Sequence, residues 1–320
     1  RDVYKRQVMM SSIAELLNIK YPIIQGGLQY ISRSPLVSAV SNAGGLGVLT
    51  TGGMDKEELR EQIQEVKKQT DKPFAVNLTL IQKNIEELVD VVVEENVPIV
   101  TTGAGSPKKF IPKLKENNTI ILPVIAAVKH AKKMEALNVD GLIVEGQEAG
   151  GHIGQLSTFP LVRQIVKATH LPVIAAGGIG DGHGLVAALA LGASGVQMGT
   201  VFLATNECPI PDSFKQAIIE ADDLSTIVTG RTLGHPVRAI RNEMLQEYLE
   251  LEQNNASQEE LDNLVKGSLY KAIKEGDRQR GTMQAGEISG LITEIKSVAE
   301  VITSITSEAK DVLKQLELPY

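Results

Sequence analysis

The chain has 320 residues, 42% of them apolar, which is enough for one large α/β barrel or two ordinary domains. Its net charge of −7, its 3% aromatic content without Trp and the absence of a long Lys/Arg run argue against a nucleic-acid partner. A single cysteine, Cys208, excludes an internal disulfide and fits a reducing, cytoplasmic setting, and no apolar run reaches the roughly 18 residues of a membrane span.

The chain starts with "RDVYKRQ", which carries charge but no apolar h-region. Met9 and Met10 follow, so residues 1–8 are expected to be a non-native appendage. Next come "PIIQGG" and "LGVLT", the first two predicted strands. "DKEELREQIQEVKKQT" then places Leu59, Ile63 and Val66 at helical spacing among charges. "PFAVNLTL", "PIVTTGAG", "TIILPVIA", "GLIVEG", "PVIAAGGI" and "GVQMGT" bring the predicted strands to eight. "IEELVDVVVEENV", "PKKFIPKLKEN", "KHAKKMEALNV", "TFPLVRQIVKATH" and "GLVAALALGA" fill gaps between them as helices. Near-continuous apolar strands are what a parallel sheet with two covered faces shows.

This alternation predicts a (β/α)8 TIM barrel over residues 9–205. A doubly wound sheet uses the same alternation. Polar residues or glycines at nearly every strand's C-terminal end favour the barrel, whose chemistry sits at that end. Residues 206–284 change pattern and are expected to form a smaller, mostly helical cap domain, broken by the short apolar run "STIVTG". Residues 285–320 read as amphipathic helix returning to the barrel.

Glycines gather at the predicted strand ends: Gly26 and Gly27, Gly103 and Gly105, Gly150 and Gly151, Gly177 and Gly178, and Gly199. Glycine lets backbone approach a ligand closely. Gly177, Gly178, Gly199 and Thr200 fall after the seventh and eighth barrel strands, where this fold commonly holds a phosphate on backbone N–H groups. Asn77, Gln25, Gln197 and Glu145 interrupt apolar strands and need partners there. His152 lies in "EGQEAGGHIGQ", beside Glu148, and an imidazole suits proton transfer near neutral pH. His235 stands near Arg238 and Arg241. No grouping in the sequence has metal-ligand spacing, so no metal is expected. Cys208 has no evident partner base, so thiol catalysis is unsupported.

"PIIQGG", "NAGGLG", "TTGAG", "EGQEAGGHIG", "PVIAAGGI" and "GVQMGT", in this order, resemble the flavin-dependent nitronate monooxygenase family. That family includes the FMN-containing enoyl-acyl-carrier-protein reductase of the second type. The resemblance runs from Ser11 to the C-terminus. It implies an FMN-bearing barrel with a helical second domain. The family's flavin-binding asparagine falls on Asn77. Its glutamine falls on Glu145, a departure that the reductase branch shares. The loop glycine is Gly150, and the phosphate-binding positions are Gly178, Gln197, Met198, Gly199 and Thr200. Gly26 and Gly27 would let backbone approach the isoalloxazine. The catalytic histidine falls on His152.

Two activities follow from the resemblance. The first expectation is oxidation of alkyl nitronates with O₂. The second, nearly level, is NAD(P)H-dependent reduction of an enoyl thioester, with NADH or NADPH as reductant. "GHPVRAIRN" and "QAGEISGL" look closer to the reductase branch. Acyl carrier protein is then a partner, drawn by a local basic patch of Arg231, Arg238 and Arg241 against the like overall charge. A homodimer is the other candidate assembly. A non-catalytic flavin- or phosphate-ligand-binding barrel is the remaining alternative.

Overall fold

The computed structural model describes residues 13–316, so the expected appendage at 1–8 lies outside the described residues. In chain order the strands are β1 (Ile23–Gln25), β2 (Gly47–Thr50), β3 (Phe74–Thr79), β4 (Ile99–Gly103), β5 (Ile120–Ile125), β6 (Leu142–Glu145), β7 (Gly151–His152), β8 (Val173–Ala176), β9 (Gly195–Met198), β10 (Thr226–Thr229) and β11 (Val237–Ile240). Eight of them, all but β7, β10 and β11, form one parallel sheet in the order β1-β9-β8-β6-β5-β4-β3-β2. A parallel bridge between Ile24 and Leu46 joins its two ends and closes the barrel. All eight predicted strands are present.

The β1–β2 seam is the thinnest part of the ring. Here the side chain of Gln25, fully buried, does the work of a ladder rung. Its Oε1 accepts from Val48 N at 3.1 Å, and its Nε2 donates to Ser32 Oγ at 2.9 Å. Gln25 is therefore a satisfied core amide and not a ligand group.

Successive strand residues point to opposite faces of a sheet. Inside the barrel, Ile24, Val48, Ala75, Ile99, Leu122, Ile143 and Ile174 form one apolar layer, with Ile13 and Leu17 in the same cluster. The larger core lies outside, between the sheet and its surrounding helices. The helices Lys56–Gln69, Ile85–Glu94, Val128–Ala136, Thr158–Ala168 and Gly182–Ala190 occupy the predicted segments. Ser34–Asn42 is an additional helix in the first gap, with Leu36, Val37 and Val40 buried.

Two features differ from expectation. The segment expected to be mostly helical contains the antiparallel hairpin β10–β11. β11 then pairs with β7, setting Val237 opposite His152 and Arg238 opposite Gly151. The returning segment also starts late. A 3-10 turn at Glu287–Leu291 precedes the helix Val298–Gln315, which Ser297 and Glu300 cap reciprocally. That helix packs on Gly182–Ala190 and Ser34–Asn42, closing the helical ring.

Candidate active site

One step beyond the inner apolar layer, the same period-two alternation points Asn77, Glu145 and Gln197 into the barrel mouth, where Gly26 and Gly178 stand beside them. All five line one cavity of about 690 Å³ at the C-terminal end of the strands. Gly27, Gly150, Gly151, Gly177, Gly199 and Thr200 line it too, and so does His152. Met198 does not. It follows Gln197, so its side chain points outward into the core with 1% exposure, and its carbonyl accepts from Gly26 N at 2.8 Å.

Asn77 sits on the cavity floor. Its Nδ2 donates to Thr101 Oγ1 at 2.8 Å, and its Oδ1 accepts from Gln29 Nε2 at 3.3 Å. Gln29, which sequence reasoning missed, also donates to Thr79 Oγ1 at 2.6 Å. Gln197 is only 8% exposed, and its side chain lies against Gly26. A Cβ on Gly26 would stand 3.2 Å from it.

Glu145 ends β6. Its carboxyl lines the cavity, and the residue is half-buried there. Burial alone pushes its pKa up to about 7, with no charged neighbour contributing. At neutral pH it is therefore close to half protonated, and the acid form offers one donor and one acceptor, as a glutamine amide does.

Gly177 and Gly178 both have positive φ, +91° and +73°. Among the described residues, no backbone acceptor takes the N–H groups of Gly178, Gly199 or Thr200. These donors line a cavity without Lys or Arg among its lining residues. Thr200 Oγ1 accepts from Gly286 N at 2.8 Å, tying the returning segment to the barrel mouth. Gly150 is fixed from the same side: a Cβ there would meet Ala285 backbone at 2.6 Å.

His152 is held by the β7–β11 ladder, and Ile153 N donates to Pro236 O at 3.1 Å beside it. Its ring is open to the cavity. Desolvation by the surrounding protein, then the neighbouring His235, holds its pKa below the usual imidazole value, which favours the neutral ring. Glu148, expected beside it, turns away. It accepts from Thr158 N at 2.8 Å and Thr158 Oγ1 at 2.6 Å, capping the next helix.

His235 and Gln284 line the cavity from the inserted and returning segments. "GHPVRAIRN" was the only sequence signal for His235, and "QAGEISGL", which opens on Gln284, was the only one for Gln284. The expected patch of Arg231, Arg238 and Arg241 does not form. Arg238 is 7% exposed. Its Nε and Nη2 donate to Gln147 O at 3.1 Å, Nη1 donates to Thr226 Oγ1 at 3.1 Å, and Nη2 pairs with Glu287 at 2.8 Å.

Two other sequence readings bear on chemistry. Cys208 is buried, and burial pushes its thiol up to about 12, so it is no nucleophile. Asp181, His183 and Glu308 bring ligand-type atoms within 4.8 Å of one another, a grouping invisible in sequence spacing. Both carboxylates are already spent on the start of one helix, accepting from Gly184 N at 2.7 Å and Gly182 N at 2.6 Å. No helix among the described residues is long and apolar enough to cross a membrane.

Known proteins are similar to this chain in sequence and fold. The nitronate monooxygenase family model matches residues 10–90 and 82–308. The (3aS,4S,5R,7aS)-5-hydroxy-7a-methyl-1-oxo-octahydro-1H-indene-4-carboxyl-CoA dehydrogenase of Mycobacterium tuberculosis is 32% identical, over 94% of this chain and 96% of its own. A probable nitronate monooxygenase of Staphylococcus saprophyticus is 32% identical, over 96% and 99%. The structure of FabK from Thermotoga maritima superposes with a TM-score of 0.92 at 43% identity, covering 95% of this chain and 97% of that one. With this cavity and these likenesses, the chain belongs to the nitronate monooxygenase family of flavin-dependent oxidoreductases.

Proposed function

We propose that the chain is an FMN-dependent reductase of enoyl thioesters that draws its electrons from NADH or NADPH. The observation that carries this reading is Glu145. A carboxyl stands where the family resemblance places glutamine, and the reductase branch shares that departure. The 43% identity to FabK, against 32% for the probable nitronate monooxygenase, points the same way. So does the thioester in the name of the Mycobacterium tuberculosis relative.

The residues present fit FMN. The floor has no room for side chains at Gly26 and Gly27, as a flat ring requires. Asn77, Gln197 and the half-protonated Glu145 offer the mixed donors and acceptors that a flavin ring edge needs. The N–H groups of Gly178, Gly199 and Thr200 would hold the phosphate without a cation. Met198 would contribute through its backbone alone. FMN, when bound, carries the hydride from the nicotinamide to the enoyl β-carbon.

Neutral His152 suits this reaction as a hydrogen-bond donor. Its N–H would face the thioester carbonyl oxygen and stabilise the negative charge that gathers there as the β-carbon is reduced. The α-carbon then takes its proton from water. Gly150 and Gly151 let the loop that carries His152 lie along the cavity wall.

A second reading is oxidation of alkyl nitronates with O₂. The same neutral imidazole favours it, since it can accept the α-proton of a neutral nitroalkane. Anaerobic stopped-flow separates the two. The protein reconstituted with FMN is mixed with NADH, NADPH or propionate 3-nitronate, and flavin bleaching is followed. Rapid bleaching by a nicotinamide, reversed by crotonyl-CoA, is expected. Bleaching by the nitronate alone overturns the reductase reading, and failure to bind FMN overturns both.

A further inference from the structure

β11 and β7 pair in antiparallel register, with Val237 opposite His152. His235 lies two residues before Val237, just outside β11, and the register carried on by the bond from Ile153 N to Pro236 O places it on the same sheet face as His152. It is the diagonal neighbour of His152, a relation that sets Cα atoms roughly 7–8 Å apart. That face is the one open to the cavity, and both rings line it. The placement of His235 is fixed by backbone. His235 N donates to Gly230 O at 3.1 Å, and Gly230 has φ +78° with no space for a Cβ beside His235 O. The carbonyl of the next residue, Pro236, accepts from Ile153 N.

We propose that His235 is the second imidazole of the active site, a positioning residue that acts through His152. The inference rests on the proposed role of His152. Two imidazoles on one face at this distance repel when both are charged. Charge on His235 therefore favours the neutral ring of His152, the one form that can both donate to a carbonyl and accept from a nitroalkane.

Other charged groups near His152 are committed elsewhere. Glu148 caps the helix Thr158–Ala168. Arg238, opposite Gly151, projects from the other face of the sheet and pairs there with Glu287. Glu145, on the cavity floor, is close to half neutral at pH 7 because burial pushes it up to about 7. Arg231, on the hairpin, lies outside the cavity lining. His235 is the remaining ionisable side chain on an adjoining element that lines the cavity beside the ring.

The test exchanges the charge of His235 in opposite senses. The His152 ring is titrated by NMR in the parent protein, in His235→Gln and in His235→Lys, each loaded with FMN and again without it. His235→Gln removes the repulsion and raises the His152 midpoint. His235→Lys makes the charge permanent and lowers it. A displacement on the order of half a unit each way is expected, and the acid limb of turnover should move with it. Two variants that move the midpoint in the same direction, or not at all, overturn the proposal. The titration needs no substrate, so it stands apart from any failure of the reductase reading.

Discussion

Gly27 and Asn77 face each other across the cavity floor with no space for a side chain between them. A Cβ on Gly27 would stand 2.9 Å from Asn77 Cβ and 3.2 Å from Thr50 Cγ2. Asn77 cannot retreat without breaking its bond to Thr101. Gly27→Val should therefore displace the Asn77 amide and weaken FMN binding at least tenfold, about 1.4 kcal/mol. Fluorescence titration of the apo protein with FMN measures this. An unchanged dissociation constant would place the flavin elsewhere.

His152→Ala should keep bound FMN, since the ring is held by β7 and β11 and not by the floor. Turnover should drop by about 10²–10³-fold. On the proposed reading the neutral ring is the active form, and its pKa is held below the usual 6.5. Activity should accordingly hold through neutral pH and fall only as pH drops through that lowered value. A pH–rate profile of flavin reduction and reoxidation checks the limb, which should vanish in the variant.

Glu145 has a stability signature of its own. Its folded pKa, about 7, lies above the usual 4.5, so between these values the folded apo protein binds a proton that the unfolded chain has lost. Stability should fall as pH rises across that window and then level off. At about 1.4 kcal/mol per unit, the loss is capped near ~3 kcal/mol. Glu145→Gln should flatten the dependence and leave the apo protein more stable than the parent at pH 8. Urea denaturation at pH 5 and pH 8 reads both slopes. A parent protein equally stable at both would contradict the buried carboxyl.

Arg238→Met should loosen the contact between the insert and the barrel. It removes the donors to Gln147 O and Thr226 Oγ1 and the partner of Glu287. The expected loss is about 2 kcal/mol of folding stability, since Glu287 is half exposed and resolvates. The β7 register should loosen with it. Hydrogen exchange at the backbone N–H groups near His152 should speed up more than exchange in β3.

Much of the barrel was legible because parallel strands buried on both faces read as unbroken apolar runs. The helix Ser34–Asn42 was not, because serines stand at buried positions. Ser38 hides its hydroxyl by bonding Ser34 O at 2.7 Å, and Ser41 Oγ accepts from Gly47 N at 3.2 Å. Motif order located the floor and the donor-rich rim. Strand alternation, applied to "GVQMGT", would also have separated inward Gln197 from outward Met198. The partners of Glu148 and Arg238 were beyond reach, since Thr158, Gln147 and Glu287 come to them only through the folded chain. β7 is two residues long, and its pairing strand lies far along the sequence. No local pattern could announce it.

On the proposed reading the barrel sets the flavin-facing floor, while a hairpin from outside the barrel positions the histidine beside the substrate. The two halves of the chemistry thus sit on separately replaceable parts. A lineage could lengthen, shorten or re-aim the β10–β11 hairpin and so change which carbon acid or acyl group is served. The cofactor cradle would pass through such changes untouched.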